Sequence, residues 1–271
     1  TLVNGEADYK SQSLQLSSAP MLLEGQEKGD YTIYLKPEIT LSNISFNVTH
    51  PDLGKREVFG DLRFRKAMSV AINREEINEV ALFGQGTPKQ YTGFSPMPDF
   101  IDKKWESYMI QYDPGMANSL LDQIGMKDTN GDGIRELPNG KKLVINMQFS
   151  TQGIDPQIVQ MVGQNWAEVG IKTTVKEVTP DEYRSAQSSN QLDVGMWRSS
   201  QPLSIVMGNN ELWVPPFENY FGHRTGMLWA EYVDSNGSKG VKPPAYVMQL
   251  IEDVNEFQST AVGSPRFKEL G

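Results

Sequence analysis

The run DVGMWRSSQ (193–201) concentrates side chains that can hold a small polar molecule. Trp197 offers a flat aromatic face, Arg198 a guanidinium suited to a carboxylate or to hydroxyls, and Ser199, Ser200 and Gln201 short-reach donors and acceptors. LDVGMW (192–197) reads as a strand, and in open α/β sheets ligands collect beyond the carboxyl ends of the strands. Trp213 and Phe94, both on loop-like segments broken by proline, are further aromatic candidates. The simpler reading of the same residues makes Trp197, Trp213 and Phe94 packing groups and Arg198 a surface charge.

Other chemistry is thinner. In DTNGDG (128–133) Asp128, Asn130 and Asp132 stand at the first, third and fifth positions of a calcium loop with Gly133 at the sixth, but the twelfth is Asn139 instead of the bidentate glutamate. The segment is therefore expected to be a tight turn or a helix-to-strand connection, and neither metal nor cofactor is expected. His50 and His223 sit in no metal-ligand spacing. The chain has no GxxxxGK, GxGxxG or GxSxG, and its carboxylates show no defensible acid/base pair, so no enzyme is expected. The NxS/T triplets at Asn43, Asn47 and Asn236 matter only in a eukaryotic secretory pathway.

The 271 residues, with 25 basic against 34 acidic side chains and a net charge of −9, allow one large domain or two small ones. A negative surface repels phosphate backbones, so nucleic acid is excluded as a partner. No apolar run approaches the length of a membrane helix. The absence of cysteine excludes disulfides, thiolate metal sites and cysteine nucleophiles. A start at Thr1 in mid-pattern, without a basic and then apolar leader, is read as a processed or excised chain whose signal peptide lies outside it.

The elements that must position these groups alternate in type. YTIYL (31–35) and ISFNV (44–48) read as strands. Asp61 caps a helix with Phe64, Ala67, Met68 and Ala71 on one face, and Asn73 with Glu76 suggests a capping box for a second helix ending near Gly84. YTGFSPMPDF (91–100) predicts an ordered loop, and Asp113 with Pro114 opens a helix stopped at Gly125. Strands at 143–149, 171–178 and 192–197 then enclose helices opened by Asp155-Pro156 and by Thr179 with Glu182. This βαβαβ run sets the class as α/β, with a mixed sheet flanked by helices. Beyond Trp197 the chain reads as aromatic loop, Trp229 and Tyr232 included, until a last helix after Pro243-Pro244.

Several of these segments, in order, resemble the extracytoplasmic solute-binding family 5, whose members include dipeptide, oligopeptide and nickel receptors of ABC importers. The most specific is DLRFRKAMSVAINREEI (61–77), with Asn73 where the family commonly has aspartate. YDPGMANSLLDQIGM (112–126), NGKKLVINMQF (139–149), WAEVGIKTTVKEVTPDEY (166–183) and NGEADY (4–9) are also similar to family text. The resemblance implies a periplasmic-binding-protein-like (type II) lobe. Residues 1–40 would be a hinge segment arriving from the preceding lobe, and residues 41–271 the second, C-terminal ligand-binding lobe. The implied role is extracytoplasmic or periplasmic capture of a small polar solute, sugar or peptide, by a monomer that closes around it and delivers it to a membrane permease. It also puts cleft residues near Trp197. The chain lacks the acidic residue that peptide-binding members place shortly after this strand. DVGMWRSSQ, KDTNGDGIRELPNGKKL and WAEYVDSNGSKGVKPP instead resemble a subgroup assigned sugar-related solutes. The competing expectations are a glycan-hydrolysing domain and a sensory module that binds a protein partner on the same fold.

Overall fold

Local capping chemistry sets most of the helix starts in this computed structural model, which describes residues 2–10, 14, 16–34, 43–92, 94, 96–197, 203 and 225–271. Two short helices, α1 (Ala19–Glu24) and α2 (Gln26–Gly29), precede strand β1 (Asn43–Phe46). Helix α3 (Leu53–Gly60) starts where the Asp52 carboxylate accepts the N–H groups of Gly54 and Lys55. Asp61 does the same for Arg63 at the head of α4 (Leu62–Val70). Asn73 accepts the Glu76 N–H at the head of α5 (Arg74–Leu82), and Asp113 that of Met116 at the head of α6 (Pro114–Gln123). Each carboxylate or carboxamide satisfies a backbone donor that has no partner within its helix.

Strand β2 (Val144–Phe149), α7 (Pro156–Glu168), β3 (Lys172–Glu177), α8 (Pro180–Ser188) and β4 (Val194–Trp197) follow as the sequence pattern predicts. The Thr179–Glu182 capping box is complete, and α6 and α7 are followed by Gly125 and Gly170 at φ +78, a conformation that costs glycine least. β2 and β3 pair in parallel, Val144 opposite Lys172, while β4 pairs antiparallel with β1, Asn43 opposite Trp197. β2 lies beside β4 without ladder pairing, so the mixed sheet expected from the sequence is split into two adjoining two-stranded sheets, one antiparallel and one parallel. Helix α7 packs on β3, and α4 packs on α6. At the centre, the Trp166 ring stacks on Phe46 at 5.6 Å and its Nε1–H donates to the Met68 carbonyl at 3.0 Å, which satisfies the polar edge of a buried indole. Helices α9 (Met227–Asp234), α10 (Ala245–Ser259) and α11 (Pro265–Leu270) close the described chain.

Two expectations differ from the structure, and one element was not foreseen. Residues 31–34 form no strand. The Tyr31 hydroxyl donates to the Leu22 carbonyl, and the Ile33 N–H donates to the Gln26 side chain, so this backbone is engaged by the helices before it. Residues 53–60 form α3, an element for which the sequence reading made no assignment; Asp52 is its local signal. Trp229 and Tyr232 lie on α9, not in a loop, because burying Met227 and Ala230 on one face of MLWAEYVD suits a helix.

One buried carboxylate joins these pieces. Asp193, 2% exposed, accepts from Nε2 of His50 at 2.9 Å, Nζ of Lys55 at 2.6 Å and the backbone N–H of Asn146 at 2.7 Å. Its own carbonyl accepts the Asn47 N–H. Nδ1 of His50 accepts the Asp52 N–H, which leaves the proton on Nε2, facing Asp193. Burial alone would raise the Asp193 carboxyl. The hydrogen bonds from His50, the Asn146 N–H and Lys55, with the Lys55 charge, outweigh it and hold the carboxyl below its ordinary 3.8. Asp193→Asn leaves Lys55 unpaired and is expected to cost about 3 kcal/mol in urea unfolding at neutral pH. Because the folded carboxyl is the stronger acid, the wild-type advantage is complete above 3.8 and fades as pH falls through the lower folded value. Unfolding curves of both proteins across that range check it.

Candidate functional site

The end of β4 is held from two sides. The Trp197 ring lies tilted against Tyr183 with centroids 5.3 Å apart, and the Tyr183 hydroxyl accepts the Met196 N–H at 2.7 Å. Beneath the indole is Gly153, where a Cβ would stand 2.3 Å from Cε3 of Trp197. A side chain there would occupy the place of the ring, so the glycine is required for close approach. Trp197 is half-buried and opposite Asn43 in the ladder, which puts both side chains on one face of the sheet.

Asn43, though not Trp197, borders a large cavity. About 2070 Å³ is bounded by residues of the amino-terminal stretch such as Tyr31, by Asn43 at the sheet edge, and by Arg65, Arg74, Gln90 and Ile154 on the body. Its two arginines make no pair with a carboxylate in the described residues. Arg65 donates to the carbonyls of Phe59 and Gly60 at 2.7 Å each, at the carboxyl end of α3. Arg74 donates to the Ser69 carbonyl near the end of α4 at 2.7 Å and to the Ser69 hydroxyl at 2.9 Å. Helix carboxyl ends carry partial negative charge and unsatisfied carbonyls, so these contacts accommodate both cations. Burial lowers Arg65 and takes Arg74 down to about 10, which leaves Arg74 charged at neutral pH. At the rim Lys89 pairs with Glu106 at 2.6 Å, a half-exposed contact that contributes little.

Of the side chains singled out in the sequence, Phe94 borders this cavity but is only 4% exposed, in a cluster with Phe257 and Phe267. Trp197 belongs to a different cluster, with Val178, Tyr183 and Leu192, so these two aromatics do not converge. Arg198, Ser199, Gln201 and Trp213 lie outside the described residues. Sequence reasoning missed a site role for Asn43, whose NxS triplet says nothing of ligands, and the placement of Arg65 and Arg74, whose motif was visible while their targets were not.

The DTNGDG segment is the connection from α6 to β2. Acceptor atoms of Asp128, Asp132 and Glu136 lie within 4.8 Å of one another, yet donors of the protein engage them. Asp128 accepts the N–H groups of Gly133 and Gly131, which lower its pKa. Asp132 is lowered chiefly by its hydrogen bond from the Lys142 ammonium. The buried Glu136 accepts from Thr129 and Asn130. Lys142 thus sets a positive charge against the cluster.

The family model described as "Bacterial extracellular solute-binding proteins, family 5 Middle" matches residues 1–213. The chain belongs to that family. Among family 5 relatives, the periplasmic alpha-galactoside-binding protein of Rhizobium meliloti is 27% identical over 74% of this chain and 28% of its own length. An oligopeptide-binding protein, OppA, superposes with a TM-score of 0.75 at 26% identity, covering 99% of this chain and 45% of that one. The periplasmic binding protein MelB of Agrobacterium fabrum, solved with stachyose, gives the same TM-score at 19% identity and shares the fold. This chain therefore spans less than half the length of each, and its fold is a lobe of a periplasmic binding protein.

In this family 5 lobe the position of the Trp197 indole depends on Gly153. Gly153→Ala is expected to displace the ring, changing the near-ultraviolet circular dichroism, and to cost about 1–3 kcal/mol as an overpacking substitution. An unchanged spectrum would remove Gly153 from the account of this wall.

Proposed function

We propose that this chain is the C-terminal ligand-binding lobe of an extracytoplasmic, periplasmic receptor for an ABC importer. In this reading residues 1–40 arrive from the preceding lobe and residues 41–271 form the lobe itself. The whole protein, a monomer, closes two lobes on a polar solute, an oligosaccharide or an oligopeptide, and passes it to the membrane permease without covalent chemistry, metal or cofactor. The observation that carries the reading is the likeness to a binding-protein lobe along 99% of the chain, joined to family membership. No helix of the described residues is long and apolar enough to cross a membrane.

The sheet edge at Trp197 is the wall we assign to the solute, with Arg198, Ser199 and Gln201 continuing it and Phe94 and Trp213 as further aromatic contributors. The half-buried indole at a strand end supports this choice, because such ends face ligands in α/β folds. The alpha-galactoside-binding relative favours a sugar, and the oligopeptide-binding one keeps peptides in the panel.

A ligand that binds only the folded state raises the melting temperature by mass action. The full-length protein carrying this chain is expected to melt higher in the presence of an oligosaccharide or a short peptide, and Trp197→Ala to remove that shift when each protein is compared with its own ligand-free melting temperature, which the variant lowers because the indole packs on Tyr183. No shift across a panel of mono-, di- and oligosaccharides and di- to pentapeptides would overturn the receptor reading.

A further inference from the structure

Among the described residues, one buried side-chain polar atom has no hydrogen-bond partner: Oδ1 of Asn43. Two other asparagines in or beside the strands have partners for their carboxamide oxygens. Asn47 donates to the Asn190 side chain and the Leu192 carbonyl and accepts the Thr49 N–H, and Asn146 accepts from Thr174 while donating to Asp193. Folded proteins rarely leave a buried acceptor unmatched, and an exception asks for a reason such as a ligand that supplies the donor. Asn43 borders the large cavity and stands across the ladder from Trp197, so the unmatched carbonyl and the indole are neighbours on one face.

We infer that Asn43 is a specificity-determining contact of the solute site, accepting a hydrogen bond from a hydroxyl of a neutral carbohydrate that packs a C–H face on Trp197. This deepens the receptor reading above and rests on it. The chemistry favours a sugar over a peptide amino terminus. A neutral carboxamide oxygen matches an O–H donor, whereas a desolvated ammonium needs a carboxylate to offset its burial. A hydroxyl-matched acceptor also discriminates, since a solute that lacks the donor leaves the carbonyl unpaired.

The test is calorimetric titration of the full-length protein and its Asn43→Leu and Asn43→Asp variants with raffinose, stachyose, maltotriose and trialanine. The leucine variant deletes the acceptor at similar volume, and is expected to bind the sugar about tenfold more weakly while melting no lower than wild type without ligand. The aspartate variant keeps an acceptor, and is expected to stay within about threefold of wild-type affinity. Sugar affinity unchanged in the leucine variant would overturn the inference, as would a fall in melting temperature that accounts for the lost binding. A wild-type protein that binds trialanine and no sugar would overturn it while sparing the receptor reading; one that binds none of the four in titration and shows no shift with the wider panel would sink both.

Discussion

A carboxylate removed from water is costly unless charges and donors replace its hydration, and Asp193 meets that demand with groups from three separate parts of the chain. His50 comes from the turn after β1, Lys55 from the first turn of α3, and the Asn146 N–H from β2. The consequence is geometric: β4 starts at a fixed point between β1 and β2. The Trp197 end of β4 then needs only Gly153 below it and Tyr183 beside it to set the indole. Under the proposed assignment of this edge to the solute, the wall inherits its position from Asp193.

Much of this architecture was legible because it is local. Asp61, Asn73, Asp113, Asp155 and Thr179 each cap the helix that follows within three residues, and apolar periodicity located β2, α7, β3 and β4. Tyr31 to Tyr34 defeated the same method. A β-rich composition cannot show that Gln26 and Leu22 engage the backbone and the tyrosine first. The Asp193 node was illegible for another reason: Lys55 lies 138 residues away, and a lone histidine with a distant lysine carries no spacing signal. The unmatched oxygen of Asn43 is a property of the fold that no residue type announces.

The family-like segment DLRFRKAMSVAINREEI now has a physical reading. Arg65 and Arg74 fasten the carboxyl ends of α3 and α4, which keeps three consecutive helices in register behind the cavity. Neither guanidinium pairs with a carboxylate among the described residues, and helix-end carbonyls hold them instead. The cavity lining carries both signs, Glu106 beside Lys89 as well as Arg65 and Arg74, while Asn43 at the β1–β4 edge contributes a neutral carboxamide.

Hydrogen–deuterium exchange of the full-length protein with and without a saturating sugar measures directly where the solute sits. Solute contact slows exchange by suppressing local opening. Slowed exchange in the peptides that contain residues 43–46 and 194–197 is the predicted result. Protection confined to other segments, such as 128–142, would contradict the assignment of the β1–β4 edge as the binding wall.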